Sequence, residues 1–122
     1  MESVMIKVTR FAPSPTGTLH IGGVRTALFN FVYSKQQKGK FLIRIEDTDA
    51  ERSTREFEEN ILKGLADMGI VPDETPVRQS ERSDIYQNAI GQIMDSGQAY
   101  YCDCSKERLD EMRSKQQANG LK

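Results

Sequence analysis

The sequence predicts an α/β fold, a parallel sheet with flanking helices. Apolar and polar residues alternate up to Phe11, which is typical of a strand, and from Ile21 onward the apolar residues follow helical spacing until Gly39. The β-rich segment 41–45 predicts a second strand. A strand, a helix and a strand in this order form a βαβ unit with a parallel, right-handed crossover. The carboxyl ends of both strands then meet at one edge of the sheet, where ligands bind in such folds.

The first two helices and the first strand follow from these patterns. The strand is expected over residues 4–11, with Val4, Ile6 and Val8 as its apolar positions. The apolar stripe of the first helix is Ile21, Val24, Leu28, Phe31 and Val32. The second helix is expected to begin with a capping box made by Ser53 and Glu56 and to end at Gly69.

The remaining elements are shorter or less regular. Residues 70–76 contain prolines and predict a loop, which a short strand at 77–79 follows. Apolar spacing over 85–94 predicts a third helix that begins near Ser80 or Ser83.

The last part of the chain is predicted to contain a short strand at 99–102 and a final helix that begins at Ser105.

Composition excludes several classes of protein. The 122 residues include 17 Lys and Arg against 18 Asp and Glu, a net charge of −1, so no overall positive field recruits nucleic acid. No apolar run approaches the roughly 18 residues of a membrane span, and residues 1–9 lack the layout of a signal peptide. Cys102 and Cys104 are too close in sequence for a good disulfide. A cytoplasmic protein with reduced thiols and no membrane partner is expected.

The segment between the first strand and the first helix predicts a nucleotide site. Pro13 and Pro15 end the strand, and Gly17 permits a tight turn. The helix that begins near His20 directs unpaired N–H groups and a positive dipole end at this turn, where phosphate commonly binds. The spacing matches neither the phosphate-binding loop nor the dinucleotide fingerprint. A closely packed connection without a ligand is therefore the alternative interpretation of these residues.

Specific sequence motifs narrow this interpretation. The residues H-I-G-G at 20–23 resemble the "HIGH" motif of class I aminoacyl-tRNA synthetases. The segments R-F-A-P-S-P-T-G at 10–17, R-T-A-L-F-N at 25–30 and R-I-E-D-T-D at 44–49 resemble the glutamyl-tRNA synthetases in particular. The resemblance extends over essentially the whole chain, but only over the first portion of such an enzyme. It implies the first half of a Rossmann-like class I catalytic domain over residues 1–98 and, over residues 99–122, the start of the insertion that binds the tRNA acceptor end and zinc.

The resemblance also implies roles for individual residues. The catalytic positions would be His20, Gly22 and Gly23. The ATP-binding set would be Pro13, Thr16, Gly17, His20, Gly22 and Gly23. The glutamate pocket would be formed by Arg10, Ala12, Ser14 and Glu46. Asp49 and Arg52 would meet the tRNA acceptor end, whereas Asp47 is expected to form local hydrogen bonds around Thr48.

Three of these residues also have a chemical rationale for their roles. The planar guanidinium of Arg10 could bind the side-chain carboxylate of glutamate through two hydrogen bonds, and Glu46 would pair with the α-ammonium of the substrate. The imidazole of His20, the single histidine of the chain, could donate to a phosphate oxygen. Simple structural roles are the alternatives: a solvated charge for Arg10, a carboxylate at a helix start for Glu46, a structural histidine for His20, and ordinary packing for Gly22 and Gly23.

Cys102 and Cys104 form half of a possible tetrahedral zinc site. The resemblance implies that further ligands downstream would complete it, so zinc is expected only in a full-length protein. Two reduced thiols without metal are the alternative interpretation.

The resemblance implies ligation of L-glutamate to tRNA(Glu) through glutamyl-adenylate, with ATP and Mg²⁺. The second ATP motif of the family, K-M-S-K-S, is absent from these 122 residues. The full-length enzyme is expected to be monomeric. Because the second motif is absent, a fragment of these 122 residues is expected to be inactive, and it is also expected to self-associate. The alternatives are a paralogue that glutamylates a modified tRNA base, and a non-catalytic nucleotide- or RNA-binding module.

Overall fold

The computed structural model describes residues 6–120 and has three strands and four α-helices in that range. The elements are β1 (Val8–Phe11), α1 (Ile21–Gln36), β2 (Lys40–Ile45), α2 (Arg55–Asp67), β3 (Val77–Arg78), α3 (Ser83–Asp95) and α4 (Lys106–Ala118), with a short 3-10 helix at Ser80–Arg82 before α3. Among the described residues, no helix is both long enough and apolar enough to cross a membrane.

The strands form a parallel sheet in the order β1-β2-β3. Arg10 of β1 is aligned with Leu42 of β2, and Arg44 of β2 is aligned with Val77 of β3. The carboxyl ends of the strands therefore lie at one edge of the sheet, as the βαβ pattern predicts. This arrangement confirms the expected α/β fold with a parallel sheet and flanking helices.

The core lies on one face of the sheet. Phe41, Ile43 and Ile45 of β2 alternate with more exposed residues, and all three are buried. The helices α1 and α2 both pack on this face, through Ala27 of α1 and through Ile61 and Leu65 of α2. Arg10 and Leu42 occupy the opposite face, because side chains alternate along a strand.

Several predicted boundaries are wrong. The described part of β1 begins at Val8, so Ile6 is not in the strand, and Val4 lies outside the described residues. The cap of α2 is Thr54, whose hydroxyl accepts from the N–H of Phe57 at 3.2 Å, and not Ser53. Residues 99–102 form no strand.

Contacts divide the chain into two compact units, Met1–Ile85 and Tyr86–Lys122. The first unit contains the whole sheet with α1 and α2, and the second contains most of α3 together with α4. The functional boundary expected between residues 98 and 99 remains a prediction.

Phe41 tests the account of the core. Its ring is fully buried and meets Phe31 edge-to-face, with centroids 5.6 Å apart. Because Phe41→Ala leaves a cavity in close-packed surroundings, it should lower the free energy of unfolding by about 3–5 kcal/mol. Urea denaturation measures this loss.

The matched control is Phe29→Ala, because Phe29 lies on α1 and its side chain is 64% exposed. It should change the stability by less than about 1 kcal/mol. Equal losses for the two variants would contradict the assignment of the core.

Candidate functional site

The start of α1 is organised by His20. Its backbone is extended, and its Nδ1 atom accepts from the N–H of Gly22 at 3.2 Å, so the imidazole caps the helix. A neutral imidazole whose Nδ1 accepts carries its proton on Nε2. The exposed His20 ring can therefore cap α1 with one nitrogen and donate a hydrogen bond with the other.

The glycines after His20 pack closely against neighbouring side chains, in line with the packing alternative for them. A Cβ atom on Gly22 would lie 3.0 Å from Cε1 of His20 and would crowd the cap. A Cβ atom on Gly23 would lie 3.3 Å from Cδ1 of Leu19. Both contacts are tight, so small residues here keep the capping imidazole and the preceding loop close to the helix.

A cleft of about 260 Å³ lies in front of this helix start. The predicted site residues that line it are Pro13, Ser14, Thr16, Gly17, His20 and Gly23. Thr18 and Leu19 also contribute, although the sequence analysis assigned them no role. The cleft thus brings most of the predicted ATP-binding residues together, while Gly22, Arg10, Ala12 and Glu46 are not part of its lining.

The loop after β1 is joined to the segment after β2 by backbone hydrogen bonds. The N–H of Glu46 donates to the carbonyl of Pro13 at 2.8 Å, and the N–H of Thr54 donates to the carbonyl of Pro15 at 3.1 Å. The side-chain oxygen of Asn60 on α2 also accepts from the N–H of Leu19 at 2.9 Å. These bonds therefore join the chain segments that carry the predicted ATP and glutamate residues.

The structure places the two charged residues of the predicted glutamate pocket in different environments. Arg10 is exposed on β1, on the face of the sheet opposite the core. Glu46 follows directly after β2, and its Oε1 accepts from Arg44 Nη2 at 2.6 Å. A carboxylate can accept further hydrogen bonds, so the ion pair with Arg44 orients Glu46 and leaves acceptor capacity for another cation.

Asp49 and Arg52, the two residues predicted to meet an acceptor end, are paired with each other. Asp49 Oδ2 accepts from Arg52 Nε at 2.7 Å and from Nη2 at 2.5 Å. These hydrogen bonds from Arg52 hold the pKa of the Asp49 carboxyl below its usual value. The pair is largely exposed and fixes the conformation of its loop.

Asp47 is held by a partner distant in sequence, so the expected local hydrogen bonding around Thr48 is wrong. It accepts from the N–H of Ser80 at 2.9 Å and from the Ser80 hydroxyl at 2.5 Å. Burial favours the neutral acid, but the bonds from Ser80 outweigh it, and the pKa of Asp47 is lowered. No periodic pattern links residues 33 positions apart, so sequence reasoning missed this contact.

The cysteines interact directly. The backbone N–H and the side chain of Cys104 lower the pKa of the Cys102 thiol, and the side chain of Cys102 raises the pKa of the Cys104 thiol. A thiolate is the form that binds metal. Within residues 6–120, no three His, Cys, Asp or Glu side chains are grouped so as to hold a metal ion. The zinc half site at Cys102 and Cys104 remains a prediction.

Comparison with known proteins identifies similar sequences. Residues 7–122 match the model of the family described as tRNA synthetases class I (E and Q), catalytic domain. The chain is 58% identical over 114 residues to a glutamate–tRNA ligase of Francisella philomiragia, which covers 93% of this chain and 24% of that protein. It is 56% identical, again over 93% of the chain, to a glutamate–tRNA ligase of Chromobacterium violaceum. The chain spans about a quarter of the length of these relatives.

Solved structures agree with the sequence comparison. The chain resembles a glutamate–tRNA ligase of Elizabethkingia meningosepticum, solved in complex with its amino acid, with a TM-score of 0.76 and 43% identity. The matched region covers 95% of this chain and 24% of the Elizabethkingia meningosepticum protein. The glutamate–tRNA synthetase of Elizabethkingia anophelis gives a TM-score of 0.79 at 42% identity, over 96% of this chain and 25% of that one.

A metal analysis tests the half-site interpretation of Cys102 and Cys104. Two thiolates supply half of a tetrahedral coordination shell, and an incomplete shell binds zinc weakly. A purified protein of these 122 residues should therefore contain well under one zinc per chain. Stoichiometric zinc that survives a chelator, in a sample that is monomeric by light scattering, would contradict the half site.

Proposed function

Because the chain belongs to the family of class I tRNA synthetase catalytic domains for E and Q, we propose that it forms part of the active site of a glutamate–tRNA ligase. The substrates would be L-glutamate, ATP and tRNA(Glu). The observation that carries the proposal is the His20 cap beside the cleft, because it combines a helix start with a side-chain donor at the place where phosphate would bind.

The ATP subsite of the proposal consists of the cleft and the start of α1. Its lining residues Pro13, Thr16 and Gly17 would contact the nucleotide, while the Nε2–H of His20 would donate to a phosphate oxygen. Gly22 and Gly23 would keep the backbone accessible, in addition to the packing roles described above. Mg²⁺ would accompany ATP and neutralise charge on its phosphates when bound.

The glutamate subsite lies beside the cleft, at the ends of β1 and β2. Arg10 would bind the side-chain carboxylate of the substrate through its guanidinium, with Ala12 and Ser14 along the same segment of chain. Glu46, oriented by Arg44, would accept a hydrogen bond from the α-ammonium group. The bond from the N–H of Glu46 to the carbonyl of Pro13 links this subsite to the ATP subsite.

The reaction would begin with attack of the glutamate α-carboxylate on the α-phosphorus of ATP, which gives glutamyl-adenylate and pyrophosphate. The residues of this chain position the reactants and stabilise charge. Arg10 and Glu46 hold the amino acid, and His20 with the start of α1 faces the phosphates. The glutamyl group would then pass to the terminal ribose of tRNA, near the Asp49–Arg52 pair.

Arg10 provides the sharpest test of the substrate. In a complete ligase that carries this sequence, Arg10→Ala should lower kcat/KM for glutamate, because a charge-assisted bidentate contact is lost. The loss of transition-state stabilisation should be roughly 2–4 kcal/mol. The KM for ATP should remain close to that of the parent enzyme. ATP-dependent glutamylation of tRNA(Glu) measures both constants.

The matched control is Arg55→Ala, because Arg55 is an exposed arginine of α2 to which no substrate contact is assigned. Glutamate kinetics of Arg10→Ala that equal those of Arg55→Ala would refute the pocket. A polypeptide of the 122 residues alone serves as a second sample. We expect it to be inactive and to self-associate, because K-M-S-K-S is absent from it and apolar side chains such as Ile90 and Ile93 are exposed.

A further inference from the structure

We propose that Asp47 is a positioning residue of the glutamate–tRNA ligase reaction, and that its bonds to Ser80 hold the segment from Glu46 to Arg52 in its working conformation. The inference rests on the proposed function, because that function assigns Glu46 to the amino acid and Asp49 with Arg52 to the tRNA acceptor end. Asp47 itself contacts no substrate in this scheme.

Asp47 and Ser80 form two hydrogen bonds, which join the segment after β2 to the segment after β3. Asp47 Oδ1 accepts from the N–H of Ser80 at 2.9 Å, and Oδ2 accepts from the Ser80 hydroxyl at 2.5 Å. Both carboxylate oxygens are used, which restrains the rotation of the side chain as well as its distance. Asp47 comes directly after Glu46 in the chain, so restraining one restrains the backbone that aims the other.

The position of Ser80 is fixed because the two residues before it form hydrogen bonds with two other elements. Arg78 of β3 binds the buried carboxylate of Glu58 on α2, with Nε to Oε2 at 2.9 Å and Nη2 to Oε1 at 2.7 Å. The N–H of Gln79 donates to the carbonyl of Ile45 at 2.9 Å and extends the pairing of β2 with β3. Asp47 therefore accepts hydrogen bonds from a residue whose position the sheet and α2 already fix.

The segment after β2 is also held at its start, where Glu46 binds the carbonyl of Pro13 and Arg44, and by bonds among its own residues. Arg52 binds Asp49 through its side chain, and the N–H of Ser53 donates to the carbonyl of Asp49 at 2.8 Å. The loop is thus internally ordered, and the Asp47–Ser80 contact sets its placement against β3. Loss of that contact would leave the segment attached only through the Pro13 and Pro15 carbonyls and the Arg44 ion pair, so that Glu46 and the Asp49–Arg52 pair would shift relative to β3.

The expected kinetic signature is selective. A displacement of about 1 Å can cost a factor of about 10² when it affects a positioned reactant. The residues proposed to bind glutamate and tRNA would move, whereas His20 and the start of α1 are ordered by their own cap and do not use Asp47. Glutamate and tRNA kinetics should therefore suffer while ATP binding is preserved.

The experiment uses a complete ligase with this sequence and compares Asp47→Ala, Asp47→Asn and Ser80→Ala. Asp47→Ala should lower kcat/KM for glutamate about 10- to 100-fold, with the KM for ATP within about twofold of the parent value. Asp47→Asn should recover most of the activity, because an amide can accept from the Ser80 N–H and donate to its hydroxyl oxygen. Ser80→Ala should fall between them, since its backbone N–H still donates.

The control is Asp67→Ala, which removes a paired carboxylate on the exposed surface of α2, where it meets Lys63 at 2.6 Å. It should leave glutamate kinetics unchanged. Wild-type kinetics for Asp47→Ala would overturn the proposal. Equal losses for ATP and glutamate together with a lowered urea midpoint would also overturn it, because they indicate general destabilisation. So would an Asp47→Asn variant as impaired as Asp47→Ala.

Hydrogen exchange separates failure of this proposal from failure of the proposed function. Asp47→Ala and Ser80→Ala should speed amide exchange in residues 46–53, and Asp67→Ala should not. If the parent protein does not glutamylate tRNA, the proposed function fails, and with it the catalytic meaning of the contact. If the parent is active and exchange in 46–53 is unchanged in the Asp47 variants, the function stands and the positioning role is refuted.

Discussion

The candidate site depends on two backbone hydrogen bonds at the carboxyl edge of the sheet. Through them the carbonyls of Pro13 and Pro15 accept from the N–H groups of Glu46 and Thr54. Parallel pairing brings the two strand ends near each other, but these bonds bring the loops themselves into contact. Proline suits the accepting positions because it ends the strand and still offers a carbonyl. The segments that carry the proposed ATP and glutamate subsites are joined as a result.

His20 gives the start of α1 two properties at once. Capping through Nδ1 satisfies one of the helix's unpaired N–H groups, and it commits the ring proton of a neutral imidazole to Nε2. Gly22 leaves room for this cap, because a Cβ atom there would lie only 3.0 Å from Cε1 of the imidazole. His20 therefore supplies both the cap of α1 and a hydrogen-bond donor at the helix start. Gly22 accompanies His20 because it leaves room for the imidazole ring.

Periodicity and turn chemistry predicted the β1-α1-β2 unit, the parallel sheet and the helix start at His20, because each depends on residues that are neighbours in sequence. The cap of α2 was misplaced by one residue, since Ser53 and Thr54 are both good caps and only the backbone decides between them. The strand expected at 99–102 has the right composition, but no strand forms there. The Asp47–Ser80 contact was beyond sequence reasoning, because it arises only when β3 folds beside β2.

A crystal structure of a complete ligase with this sequence, bound to a non-hydrolysable analogue of glutamyl-adenylate, would test the proposed site most directly. We expect the glutamyl carboxylate to contact Arg10, the α-ammonium to contact Glu46, and the group replacing the phosphate to lie within hydrogen-bonding distance of His20 Nε2. An analogue bound away from the cleft, or bound there with Arg10 and Glu46 both turned away from it, would refute the site.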